Sequence, residues 1–229
     1  MKPIREQHPA TADLQNLYER LLTAYGPQHW WPADSDFEVI VGAILTQNTA
    51  WRNVETALNR LKSERIWSWD EVFEVPVEAL AEVIRPSGYF NQKARKLKLF
   101  AQFLDRDFAR STDRLFQLPL LNLRNLLLAQ WGIGPETADD IILYAARKPV
   151  FVIDNYTQRL SGRLGWKIEP HNYEGHRAAF EALLAPNVEL FGEYHALIDH
   201  HCNRTCTKTP KCGECTIADI CATGWAFNR

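Results

Sequence analysis

Three groups of residues in this sequence have the types and spacing to do chemistry. The first is the stretch Trp131-Gly132-Ile133-Gly134-Pro135-Glu136-Thr137-Ala138. An apolar helical run, Leu126 to Gln130, precedes it, and Ala138, Ile141, Ile142 and Ala145 follow at helical spacing. Two glycines two apart permit a tight turn, and Pro135 suits a first helical position, where its missing N–H costs little. The segment reads helix, short glycine turn, helix. The N–H groups that open its second helix, with the positive end of the dipole, make a ready anion site. A plain helical hairpin is the alternative. The second group is Asp154, which closes the apolar run Pro149–Ile153 and would cap the helix that follows. The third is Cys202, Cys206, Cys212, Cys215 and Cys221, which in a cytosolic chain imply metal rather than disulfides.

The elements that must position these groups read as helices. Leu14, Leu17, Tyr18, Leu21 and Leu22 form one stripe of a helix over 12–24, ended by Tyr25-Gly26-Pro27. Asp34-Ser35-Asp36 offers N-caps for a strongly apolar helix with Phe37, Ile40, Val41, Ile44 and Leu45 at helical spacing. Further helices are expected at 51–64, 69–74, 77–84, 91–105, 112–116 and 121–130, then at 155–164, 173–184 and 188–201. Only Pro149–Ile153 could pass for a strand, and one strand makes no sheet. The fold class is all-α.

At 229 residues the chain can bury one good core or two small ones, and 46% hydrophobic content argues for a folded protein. No apolar run reaches membrane-spanning length, and Met1–His8 does not read as a signal peptide, so a cytoplasmic protein is expected. The net charge of −2 gives no overall sign of nucleic-acid binding. Locally, Gln92-Lys93-Ala94-Arg95-Lys96-Leu97-Lys98 is basic enough to track a phosphate backbone, or is a solvated helix face.

Taken together, the glycine hairpin, the aspartate about twenty residues beyond it and the terminal cysteines resemble the endonuclease III superfamily of helix-hairpin-helix DNA glycosylases. The resemblance spans nearly the whole chain. It implies a six-helix barrel with the hairpin over 37–148, and a second helical domain from 1–36 with 149–229 that carries a cysteine-ligated loop. The active cleft would lie between them. The partner is then double-stranded DNA containing a damaged base, met by a monomer in the cytoplasm or nucleoid.

Carried over residue by residue, Asp154 is the catalytic carboxylate, which stabilises positive charge on the sugar or activates a water. Its other reading is an N-cap alone. Where bifunctional members have Gly-x-Gly-Arg-Lys-Thr-Ala, with a lysine that forms a Schiff base, this chain has Gly132-Ile133-Gly134-Pro135-Glu136-Thr137-Ala138. Glu136 cannot form that imine, so the resemblance implies a monofunctional, hydrolytic glycosylase. Gln47 matches a glutamine that enters the duplex beside the extruded base, and Tyr89 falls where an apolar wedge would sit. Gly132, Gly134, Thr137, Lys93, Lys208 and Lys211 are the expected contacts to the DNA backbone.

The segments Trp30-Trp31-Pro32, Leu45–Thr49 and Ile84–Tyr89 resemble the bacterial 3-methyladenine glycosylases of the endonuclease III type. In that subfamily aromatics at the positions of Trp30, Trp31 and Trp51 line the base pocket, which suits alkylated, cationic purines. Three core tryptophans are the alternative. Cys206, Cys212, Cys215 and Cys221 match the ligands of a 4Fe-4S cluster, with zinc as the alternative. Two departures are clear: five residues instead of six separate Cys206 from Cys212, and Cys202 is additional. Two other functions remain open: a monofunctional glycosylase for mismatched thymine, uracil or an oxidised pyrimidine, and a DNA-binding protein without chemistry.

Overall fold

The computed structural model describes residues 7–227, so most of the N-terminal stretch read as lacking a signal peptide lies outside the described residues. The helices in chain order are α1 (Thr11–Tyr25), α2 (Asp36–Leu45), α3 (Trp51–Ser63), α4 (Trp69–Glu74), α5 (Val77–Val83), α6 (Phe90–Phe108), α7 (Thr112–Phe116), α8 (Leu120–Leu128), α9 (Pro135–Asp140), α10 (Asn155–Leu164), α11 (Tyr173–Leu183), α12 (Val188–Arg204) and α13 (Ala222–Phe227). The fold is all-α. Among the described residues there is no strand, only an isolated bridge from Gln7 to Trp166, and no helix is long and apolar enough to cross a membrane.

Periodicity placed most of these helices well, α4, α7 and α10 to the residue. It missed α13 and a widened, π-helical turn, Ile141–Ala145, that continues α9. The one candidate strand is a buried connector. Val150, Phe151, Val152 and Ile153 are fully buried but have no strand to pair with.

The chain divides into two compact units, Trp31–Lys148 and Met1–Trp30 with Pro149–Arg229. In the continuous unit α2 is the central helix. Every residue from Val39 to Leu45 is buried, as its nearly unbroken apolar sequence requires. Ser35 caps it by accepting the N–H of Glu38 at 3.3 Å. The other unit is built on Leu14, Leu17 and Leu21 of α1 and an aromatic cluster, with Phe151 4.5 Å from Phe180 and 5.3 Å from Phe191 between ring centroids. The buried Tyr194 hydroxyl donates to the Leu14 carbonyl at 2.8 Å, so the polar tip of a core side chain is satisfied.

Candidate active site

In the continuous unit, α8, a short turn and α9 form the expected hairpin. Gly132 has φ +82, a left-handed conformation that favours glycine, and Pro135 stands at the start of α9. A side chain at Gly132 would also collide with Lys96, since an added Cβ would lie 2.5 Å from its Cε. Ile133 is buried and anchors the turn, while Gly132, Gly134 and Glu136 are exposed. Beneath the turn Arg124 of α8 and Asp139 of α9 form a buried, two-pronged ion pair at 2.8 and 3.1 Å, which joins the two helices of the hairpin.

Gln47, just beyond α2, is held by this hairpin. Its Nε2 donates to the Thr137 hydroxyl at 2.9 Å and to the Gly132 carbonyl at 3.2 Å, and its Oε1 accepts from Lys96. Thr137 is buried, so its side chain seats Gln47 and is not presented at the surface. Tyr89 is 67% exposed in a left-handed conformation at the start of α6.

The basic run on α6 requires a correction. Lys93 is 2% exposed, and its ammonium donates to the carbonyls of Leu45 (2.8 Å) and Ser87 (2.6 Å). Burial, with Lys96 nearby, lowers its pKa to about 8. Lys93 therefore caps the end of α2 and does not reach phosphate. Lys98 likewise satisfies the carbonyls of Val72, Phe73 and Val75 at the end of α4, and Arg95 lies over the Trp131 ring at 4.5 Å. Of the four cations in the run, Lys93, Lys96 and Lys98 are engaged within the protein and Arg95 is exposed.

Trp31 and Trp51 are half-buried and meet edge to face, with ring centroids 5.3 Å apart. Tyr144, in the widened turn after α9, also lies 5.3 Å from Trp31. Gly42 leaves room for the indole, since a Cβ there would lie 3.1 Å from Trp31 Cζ2. Trp30, in the other unit, is also half-buried.

In the discontinuous unit Asp154 caps α10. Its Oδ1 accepts the backbone N–H and the hydroxyl of Thr157, both at 2.7 Å. Its Oδ2 lies 3.8 Å from Nε2 of His195 on α12, an ionic distance rather than a short hydrogen bond. Burial alone would raise the carboxyl pKa. His195 and the two hydrogen bonds from Thr157 outweigh it and hold the group below the ordinary carboxylate range. The motif singled out Asp154 and not His195, although the His195-to-Asp199 spacing of one helical turn was readable.

Cys206, Cys212, Cys215 and Cys221 line one cavity with Arg163 and His201. Arg163 Nη1 lies 3.1 Å from Cys206 Sγ, and the Cys221 thiol faces the Arg163 carbonyl at 3.1 Å. A hydrogen bond from Cys202, helped by His201 and Arg163, lowers the Cys206 pKa to about 4, and the Cys202 thiol is pushed up in return. Among the described residues no three His, Cys, Asp or Glu side chains are gathered to hold one metal ion. Four thiols thus share one cavity, and the Arg163 guanidinium is aimed at one of their sulfurs. Lys208 and Lys211 are exposed on the loop beside it.

Comparison with known proteins agrees with this architecture. The family model of the HhH-GPD superfamily base excision DNA repair proteins matches residues 41–186. A Methanocaldococcus jannaschii protein assigned as a DNA repair glycosylase is 42% identical over 210 residues, covering 91% of this chain and 95% of its own. Endonuclease III of Sulfolobus acidocaldarius is 29% identical, with 81% of each chain covered. Among solved structures, the H. pylori 3-methyladenine DNA glycosylase bound to 1,N6-ethenoadenine has a TM-score of 0.70 at 32% identity, covering 83% of this chain and 94% of its own. Endonuclease III in a trapped covalent complex with DNA has a TM-score of 0.82 over 96% of this chain and 100% of its own, a likeness of fold at 19% identity. The chain belongs to the HhH-GPD superfamily of base excision DNA repair proteins and is an endonuclease III-like DNA glycosylase.

Proposed function

We propose that this protein is a monofunctional glycosylase that removes alkylated purines such as 3-methyladenine from double-stranded DNA by hydrolysis. Glu136 carries the reading. It is exposed at the hairpin position where the bifunctional pattern has lysine, and a carboxylate cannot form the imine that precedes strand cleavage. The nucleophile is then water. As the C1′–N bond breaks, its electron pair leaves with the base, and a purine made cationic by alkylation departs neutral. Asp154 stabilises the positive charge left on the sugar, and water oxygen bonds to C1′ with loss of its proton to the carboxylate or solvent.

The aromatic residues support the alkylpurine. Trp31 and Trp51 keep part of their surfaces open, and electron-rich rings stack well on a cationic base. The 3-methyladenine specificity named for the H. pylori neighbour points the same way. Gln47 and Tyr89 enter the duplex as the base is extruded, offsetting part of the few kcal/mol of lost stacking. The hairpin amides around Gly132 and Gly134, with Lys208 and Lys211, take the phosphates. Cys206, Cys212, Cys215 and Cys221 hold a 4Fe-4S cluster. When bound, such a cluster ties the four thiolates into one rigid loop and leaves base release to the protein's own side chains. The protein works as a monomer at the chromosome in the cytoplasm.

The hydrolytic claim is tested on a duplex containing one methylated purine. The expected product is an intact strand with an abasic site, cut only after alkali, and no protein–DNA adduct after borohydride. Strand cleavage with a trapped adduct would show that an amine of this protein replaces the missing hairpin lysine.

A further inference from the structure

We propose that His195 is a positioning residue for Asp154, supplying from α12 the positive charge that lets Asp154 and Asp199 both stay ionised in a water-poor site. This rests on the reading of Asp154 as the catalytic carboxylate. The geometry is specific. Asp154 Oδ1 is fully engaged by Thr157, and Oδ2 faces the His195 imidazole at 3.8 Å, with the two side chains only 13% and 10% exposed. Asp199 follows His195 by one helical turn, on the same face of α12. It is anchored by Asn203, whose Nδ2 donates to it at 3.0 Å and whose Oδ1 accepts from Tyr156 at 2.7 Å.

Two carboxylates that share a desolvated site repel, and each then favours protonation. Asp199 shows the conflict. Burial raises its pKa, His195 counters this, and Asp154 adds to it. The other groups that sense this site are Tyr156 and Arg159 on α10. The Tyr156 hydroxyl is pushed up and stays neutral near pH 7, and arginine stays charged throughout. His195 faces Oδ2 at 3.8 Å, and imidazole is the side-chain type whose ordinary pKa lies between pH 5 and 8.

An anion next to an imidazolium keeps its charge to lower pH. Loss of the imidazolium moves the acid limb of base release to higher pH. The test compares wild type, His195→Gln and His195→Lys in single-turnover base release from pH 4 to 9, with duplex affinity measured in parallel. For His195→Gln the rate at about pH 5 should fall about tenfold more than the rate at pH 8, with affinity unchanged. His195→Lys, which restores a cation, should bring the limb back. A ¹³C titration of the Asp154 carboxyl in His195→Gln reads the same shift without relying on activity. A role in packing alone would lower the melting temperature of both variants and leave limb and titration in place, which would overturn the proposal. Asp154→Asn separates the two ideas: full activity in that variant removes the catalytic reading, whereas an inactive Asp154→Asn with an unmoved limb in His195→Gln removes only the role of His195.

Discussion

Asp154→Asn should slow release of a methylated purine by about 10²–10⁴-fold while the protein folds and binds its duplex normally. Asparagine suits this test because it separates the two things that Asp154 does. As a helix cap, it accepts the Thr157 N–H as well as aspartate does, and Asn and Asp are nearly equal at that position. It lacks the negative charge that a developing sugar cation requires. A cap alone would leave the rate of Asp154→Asn near that of wild type. Single-turnover base release, with a binding titration and a melting curve, distinguishes the outcomes. A variant that releases base at the wild-type rate would end the catalytic role of Asp154.

Asp139→Ala should be the most damaging stability variant near the site, costing about 3–5 kcal/mol. Asp139 is fully buried, and its partner Arg124 has a side chain only 10% exposed. Removing the carboxylate takes a two-pronged partner away from a desolvated guanidinium, and that penalty, not the net worth of the pair, sets the cost. Folded domains are stable by only about 5–15 kcal/mol, so the hairpin would be threatened together with the unit. Urea unfolding measures the loss. The double variant Asp139→Leu, Arg124→Met removes both charges and should recover much of it, because an apolar pair of similar volume is often no worse than a buried ion pair. A loss below about 1 kcal/mol for Asp139→Ala would mean that water or other contacts of Arg124 make good the lost carboxylate.

The helices and the hairpin were legible because their causes are local. The stripe of α1, the serine before α2 and the glycines before Pro135 all act within a turn or two of chain. Asp154 was legible because a motif fixes its distance from the hairpin. The basic run was misread because what a lysine does depends on what it meets. Lys93 meets a carbonyl 48 residues away in sequence, and no periodicity reports that. Gln47 is likewise seated by residues 85 and 90 positions distant. His195 and Arg163 were passed over for the same reason. Their partners, Asp154 and Cys206, come together only through the packing of α10 with α12 and the cysteine loop. The tryptophans were an intermediate case. Their types suggested a pocket, and the structure places Trp30, Trp31 and Trp51 half-buried, whereas Trp69 is the one in the apolar core.

The most direct measurement is single-turnover base release from four duplexes, alike except for one residue: 3-methyladenine, uracil, thymine opposite guanine, or an oxidised pyrimidine. A hydrolytic alkylpurine glycosylase releases the methylated purine and leaves the other three intact. Release of a pyrimidine with the methylated purine left in place would contradict that account and return Trp30, Trp31 and Trp51 to structural roles.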